Sequence, residues 1–179
     1  MSSRLRRTGL VLETIAFTIV VPGTVTVWLP SLILGDAIVG LPLSLLQLMA
    51  LLPLGVGAAI YFRCLWEFAA RGRGIPSPVD HPKQLVVTGL YRYVRNPMYL
   101  GVLFVLFGEV LFFRSHVLLF YTLAWLTVVH VTILLDEGPN LRRKFGSSYE
   151  RYTAAVHRWL PGRRYEAPAD DYSRIEGQR

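Results

Sequence analysis

From Ala37 to Phe62 the chain runs for 26 residues without one charged side chain. A helix of that length extends about 39 Å, more than the roughly 30 Å of a bilayer's hydrocarbon. In a soluble domain such a helix has no face to turn toward water. Three other apolar runs accompany it: Gly9 to Leu34, broken by Glu13; Pro97 to Phe113, interrupted by Glu109; and His116 to Leu135. The run of 17 residues from Pro97 is at the short limit for a span. Only Arg114-Ser115 separates it from the next, so the two read as a tight helical hairpin. Composition agrees. With 53% apolar and 17% charged residues and a mean hydropathy of +0.40, the chain lies outside the soluble globular range and far from disorder. The rest of its 179 residues is too short and broken for a separate soluble domain. The expectation is an all-α integral membrane protein with one domain over residues 1–162 and a polar, mobile tail over 163–179.

Charge placement sets the orientation. The formal net charge is +7, and 18 of 19 Lys and Arg residues fall on one side if there are four spans. Arg4, Arg6 and Arg7 precede the first run, six basic residues lie between Arg63 and Arg95, and nine follow the last. Arg114 alone falls opposite. The positive-inside tendency then predicts four transmembrane helices with both termini cytoplasmic, a multi-pass localisation, and no need for nucleic acid to explain the basic charge. A cleaved signal peptide is the rival reading of the N-terminus. It is disfavoured by the length of the apolar run, by Glu13 and by the lack of a small-residue cleavage site. The single cysteine, Cys64, rules out an intrachain disulfide and any Cys-based zinc or iron–sulfur site.

Two cytoplasmic pieces follow from this topology: a Gly-, Pro- and Arg-rich connection over Glu67 to Asn96, and everything after Asp136. In the latter, Leu141, Phe145, Tyr149, Tyr152 and Val156 recur at spacings of 4, 4, 3 and 4, one face of a helix. Arg142, Arg143, Lys144, Glu150 and Arg151 lie elsewhere on the wheel. This predicts a cytoplasmic amphipathic helix lying on the membrane surface or on the other helices.

Ionisable groups at membrane depth are few. Glu13 and Glu109 read as interfacial acids near helix ends, and His130 as a histidine hydrogen-bonded inside the bundle. Four scattered histidines make a poor metal or haem set, so no metal is expected. No phosphate-binding loop and no dinucleotide fingerprint is present. Gly55-Val56-Gly57 reads first as a small-residue patch that lets another helix approach, and second as a gap for a cofactor.

The segment Leu85 to Gly101, LVVTGLYRYVRNPMYLG, carries more. Gly89 permits a turn, and Tyr91, Tyr93 and Tyr99 bring polar-tipped rings. Asn96 is a good N-cap before Pro97, which suits a first helical turn. Free N–H groups there, with Arg95 beside them, suit an anion or carboxylate, although an ordinary helix start with positive-inside arginines fits equally. In the second segment, Leu134 to Pro161, Asp136 and Glu137 stand where the last span leaves the membrane. Carboxylates at a helix C-terminus oppose its dipole and call for a compensating donor, which Arg158 can supply on its return; solvated acids at a helix end are the plainer alternative.

Together the two segments resemble the membrane methyltransferases that include isoprenylcysteine carboxyl methyltransferases and phospholipid N-methyltransferases. The family pattern G-x-Y-x-x-x-R-H-P-x-Y-x-G is met, apart from its histidine, by Gly89, Tyr91, Arg95, Pro97, Tyr99 and Gly101. The pattern E-E-P-x-L-x-x-x-F-G-x-x-Y-x-x-Y-x-x-x-V-P-R is met by Glu137, Pro139, Leu141, Phe145, Gly146, Tyr149, Tyr152, Val156 and Arg158. Asn96 replaces the usual histidine, Gly138 the second glutamate and His157 the proline; Asn-Pro-Met-Tyr is similar to the phospholipid N-methyltransferase form. The resemblance implies S-adenosylmethionine as methyl donor, bound on the cytoplasmic side. It implies a binding set of Tyr91, Arg95, Asn96, Pro97, Tyr99, Gly101 and Glu137, and catalytic roles for Glu137, Asp136 and Arg158. The donor's carboxylate suits Arg95 or the helix start, its ammonium and ribose suit Glu137, and its adenine suits Tyr91 or Trp159. The implied acceptor is a lipid-like or isoprenoid molecule, either a cysteine-like carboxylate or a lipid amine, taken from among the membrane lipids. A non-catalytic membrane subunit on the same scaffold and a protein similar to NADPH-dependent sterol reductases are the rival readings.

Overall fold

A computed structural model of the chain describes residues 16–35, 44–70, 85, 87–166 and 168. Glu13 and the basic N-terminus lie outside them, as does most of the tail beyond 163. Among the described residues the secondary structure is entirely helical. Helix α1 spans Ala16–Leu34, α2 Leu45–Ala70, α3 Pro97–Phe113, α4 His116–Thr132 and α5 Gly138–Ala155, with a 3-10 turn at Gly89–Arg92. Three helical stretches are long and apolar enough to cross a membrane: Ala16–Leu34, Leu45–Glu67 and the continuous His116–Ala155. Pro97–Phe113 is apolar but shorter.

The helices bury little of their apolar surface against one another. Leu52, Phe120, Leu135, Trp28 and Trp66 are all largely exposed. Water would penalise such a surface, whereas lipid accepts it. What holds the bundle instead is close backbone approach between α2 and α3. A Cβ on Gly57 would stand 2.5 Å from the Gly101 carbonyl oxygen, and one on Gly101 would stand 2.9 Å from that of Gly57. Gly108 presses on Leu54 in the same seam. Small residues at a membrane helix contact let dispersion act where hydrophobic burial gives nothing. The approach expected at Gly55-Val56-Gly57 is therefore real, but only Gly57 makes it; Gly55 meets nothing within 4 Å. Tyr61, Val102 and Leu106 form the core of the seam, and Val25, Tyr121 and Trp125 pack onto it. The Tyr121 hydroxyl donates to the Val25 carbonyl at 2.8 Å and ties α4 to α1.

The hairpin between α3 and α4 is as tight as the sequence predicts. Arg114 takes a left-handed conformation (φ 51°), and Ser115 caps α4 by accepting from Leu118 N at 3.3 Å.

Two segments have widened π geometry: Thr24–Trp28 in α1 and Ile133–Glu137 between α4 and α5. Each ends two residues before a proline, Pro30 and Pro139. A helical proline lacks an N–H and crowds the carbonyl four residues back, and a π turn relieves that crowding without breaking the helix. The second π segment explains why the last span and the amphipathic helix form one continuous helix rather than two joined by a loop. Gly138 closes it by donating to the Ile133 carbonyl, which a Cβ at position 138 would approach to 2.9 Å.

The amphipathic stripe folds inward. Tyr149, Tyr152 and Val156 are buried with Val87, and Leu141, Phe145, Leu85 and Tyr165 complete the cluster. Of the two supports expected for this helix, the described residues show protein. Gly146 kinks it with φ 51° and ψ −128°, a conformation glycine takes most easily.

Candidate active site

The site gathers at one end of the bundle, where α2 ends, α3 begins and α4 passes into α5. Gly89, with φ +57°, starts the 3-10 turn, and Tyr91 N donates to the Thr88 carbonyl at 3.1 Å. The chain then runs through Arg95 to Asn96 and enters α3 at Pro97. The segment after α5 returns along it. Arg95 N donates to the His157 carbonyl at 3.0 Å, Gly162 N to that of Tyr93 at 2.9 Å, and Tyr165 N to that of Arg92 at 2.9 Å. The Tyr152 hydroxyl adds a bond to the Tyr91 carbonyl at 2.7 Å. Trp159 stacks on His130, with ring centroids 6.1 Å apart, and donates Nε1–H to His130 Nδ1 at 3.2 Å. His130 thus has the hydrogen-bonded bundle role read from the sequence.

This clasp brings Tyr91, Arg95, Asn96 and Arg158 to one place. Asn96 occupies the N-cap position but does not cap with its side chain; that expectation is corrected. Only its carbonyl serves the helix, accepting from Leu100 N at 3.0 Å. Its φ of −120° and ψ of 56° turn the side chain into the protein, where Nδ2 is buried without a hydrogen-bond partner. Arg95 Nε, Arg158 Nη1 and Thr88 Oγ1 are buried without partners as well. Buried polar atoms are ordinarily satisfied, so such a group of donors marks a place for an acceptor.

Glu137 is half-buried on the π segment and within electrostatic reach of the Tyr91 and Tyr99 phenols. Burial pushes the Tyr91 phenol well above its ordinary range, and the nearby Cys64, Tyr152, Glu137 and Tyr99 groups add to the shift. Tyr91 is therefore a neutral hydroxyl at any physiological pH.

Asp136 and Glu137 diverge. Asp136 is exposed and accepts from Asn140 Nδ2 at 2.8 Å, so it faces away from the tyrosines. Pro97 is buried at the first turn of α3, and Gly101 lies one turn further, in the seam with Gly57. Trp159 is already stacked on His130. Glu67 was not singled out in the sequence, yet it is 6% exposed at the end of α2 with its carboxylate against Gly89. A signal existed: Gly57, Tyr61, Cys64 and Glu67 are spaced 4, 3 and 3, so an acid continues an inward stripe.

The fold and this site define a helical membrane protein with a charged, partly unsatisfied site at one end of its bundle. Residues 45–148, more than half of the 179, match the family described as phospholipid methyltransferase. The chain belongs to that family, and hence to the membrane methyltransferases its motifs resemble. Neither a curated protein nor a solved structure matches it.

Proposed function

We propose that the protein transfers a methyl group from S-adenosylmethionine to the head of a membrane-embedded amphiphile, and that the acceptor is a lipid amine. The reading includes four spans, with Pro97–Phe113 as the third, and places both termini and α5 in the cytoplasm. One observation carries it: the unpaired buried donors Arg95 Nε, Asn96 Nδ2 and Arg158 Nη1 beside Tyr91, together with the Glu137 carboxylate within reach of Tyr91 and Tyr99. Donors without acceptors suit a carboxylate, and an acid suits an ammonium and ribose hydroxyls, so the residues present fit an amino-acid-like donor. When bound, S-adenosylmethionine supplies a methyl group already activated on a sulfonium.

The chain's own residues have three tasks. Arg95, Asn96 and Arg158 hold the carboxylate end, and Glu137 holds the cationic end. Tyr91 and Tyr99 wall the site against water, because Tyr91 stays uncharged and packs without drawing solvent. An amine acceptor must shed a proton, and of the two candidate carboxylates, Asp136 and Glu137, Glu137 is the one beside Tyr91 and Tyr99. Alignment then does most of the work, because the methyl group is reactive as delivered. A lipid amine is favoured over an isoprenoid-cysteine carboxylate by the family matched and by Asn96 in place of histidine.

Calorimetry on purified protein tests the reading. Binding of S-adenosylmethionine and its demethylated product in the micromolar range is expected, about 8 kcal/mol at 1 μM. Absence of heat or displacement with either ligand on folded protein refutes it.

A further inference from the structure

Glu67 lies outside both sequence motifs and has no task in the reading above. Its side chain is 6% exposed, and both carboxylate oxygens are buried without a hydrogen bond. Its ion-pair partner is Arg63, one helical turn earlier, with Nη2 3.2 Å from Oε1. The pair is lopsided: Arg63 is 60% exposed and Glu67 is buried. Beyond the carboxylate sits Gly89, whose missing side chain is what makes room for it. Thr88 Oγ1, the adjoining residue's hydroxyl, is buried and unpartnered too. Cys64, one turn before Glu67, is within electrostatic reach of Tyr91. Glu67 and the site wall therefore share one face of α2.

A carboxylate removed from water at the end of an apolar helix is expensive, and packing alone would be better served by an apolar residue. Arg63 offsets part of that cost, but it is itself 60% exposed and is carried on a long, flexible stem that can swing outward. What remains is a sealed anion with acceptor capacity to spare, beside the turn that opens the candidate site. A compact cation with several N–H donors suits those carboxylate oxygens better than a guanidinium held at the rim.

We propose that Glu67 is the seat of a ligand ammonium group and that Arg63 is its placeholder. The ligand's ammonium displaces the guanidinium and donates hydrogen bonds to the Glu67 carboxylate and to Thr88 Oγ1. The identity of the occupant rests on the methyltransferase reading: Glu137 already answers for the donor's ammonium, so the acceptor's amine is expected at Glu67. Ammonium binding itself does not depend on that reading.

The test uses the full chain in nanodiscs, as wild type, E67Q, R63A and R142A, each checked for folding by size-exclusion chromatography. Two ammonium-bearing probes are titrated: S-adenosylhomocysteine by calorimetry, and lysophosphatidylethanolamine by tryptophan fluorescence. N-acetylated lysophosphatidylethanolamine, which lacks the cation, is the control. E67Q should weaken lysophosphatidylethanolamine at least tenfold and leave the N-acetylated form within twofold. R63A should tighten the same probe or leave it unchanged, because it removes a competitor; R142A should do nothing. If E67Q weakens S-adenosylhomocysteine instead, the site holds the donor's ammonium and the proposal stands with that occupant. Three results overturn it. One is E67Q leaving both probes within twofold. Another is E67Q and R63A weakening a probe alike, as loss of a structural ion pair would. The third is a wild-type chain that binds neither probe. Wild-type protein that binds the lysophospholipid but not S-adenosylhomocysteine refutes the methyl-donor reading and leaves Glu67 as proposed.

Discussion

Single residues decide what the site recognises. In the proposed function, Arg95 and Glu137 carry the opposite charges that an amino-acid-like donor needs. Arg95→Ala and Glu137→Gln should each weaken S-adenosylmethionine binding by about 1.5–3 kcal/mol, the range for charge-assisted hydrogen bonds, as read by calorimetry. Arg142→Ala should change nothing measurable, since its contact with Glu150 spans 3.7 Å between two well-exposed side chains. Equal losses at all three would mean that general charge or folding is being measured. Tyr91 makes a second prediction, in pH. Its phenol is raised in the folded protein, so its contribution to stability is complete below the unfolded value of about 10. That contribution is lost as pH rises above about 10 toward the folded value. In an ultraviolet titration several buried tyrosines should ionise only with unfolding, and Tyr91→Phe should shrink that late step by one tyrosine's amplitude. A late step of unchanged amplitude in Tyr91→Phe shows that Tyr91 is not among them. The types of these residues were legible in the sequence. The direction of Asn96 was not, because an Asn before Pro is equally at home capping the helix or turning inward, and only its ψ of 56° separates the two.

At the level of elements, the seam between α2 and α3 is the contact that the bundle depends on. Gly57→Leu and Gly101→Leu each place a branched side chain where even a Cβ would sit 2.5–2.9 Å from the facing carbonyl oxygen. Overpacking of this kind costs roughly 1–3 kcal/mol or more. Both variants should lower the thermal midpoint in detergent or fail to accumulate. Gly55→Ala meets open space and trades a poor helix former for a good one, so its midpoint should hold or rise. A drop for Gly55→Ala as large as for Gly57→Leu would show that helix propensity or detergent contact, and not the seam, governs the measurement. The glycine patch was visible in the sequence, but which glycine faced the partner was not. Two glycines two residues apart lie about 200° apart on a helix, so one must miss any single neighbour. The amphipathic stripe of α5 was fully legible. Its support was not, because a stripe of Leu, Phe, Tyr and Val suits a bilayer surface and a protein groove equally well.

For the whole molecule, the lipid-facing exterior and the end-on site together predict how the acceptor arrives. On the proposed function, with so little of each helix covered, an apolar tail would lie along the bundle while its head meets the site. Each CH₂ taken from water should contribute about 0.8 kcal/mol to acceptor affinity. Acceptors with one headgroup and increasing tail length, assayed below their critical micelle concentrations, should therefore show kcat/KM climbing with length. A flat series, or full activity on a headgroup without a tail, refutes the bilayer route.

The sequence by itself determined the class of solvent this chain folds in, the hairpin at Arg114-Ser115, the stripe of the last helix and the apolar helices, though not the bounds of α2, which covers Leu45–Ala70 where the apolar run is Ala37 to Phe62. Each is a local property, read from hydropathy, periodicity and turn chemistry over stretches shorter than one element. The family motifs were local as well, because they sit at the ends of consecutive helices. Tertiary structure alone decided the rest. It joined the last span to α5 through a π segment, since the crowding of Pro139 can be relieved by a loop or by a wider turn. It sent Asp136 to Asn140 and Glu137 toward the tyrosines, because adjacent residues on a helix point about 100° apart and only the neighbours settle which looks inward. It also set Glu67 against Gly89, 22 positions away in the chain. No local pattern encodes that contact, because its geometry depends on α2 and α3 meeting through Gly57 and Gly101 and so bringing the end of one beside the entry to the other.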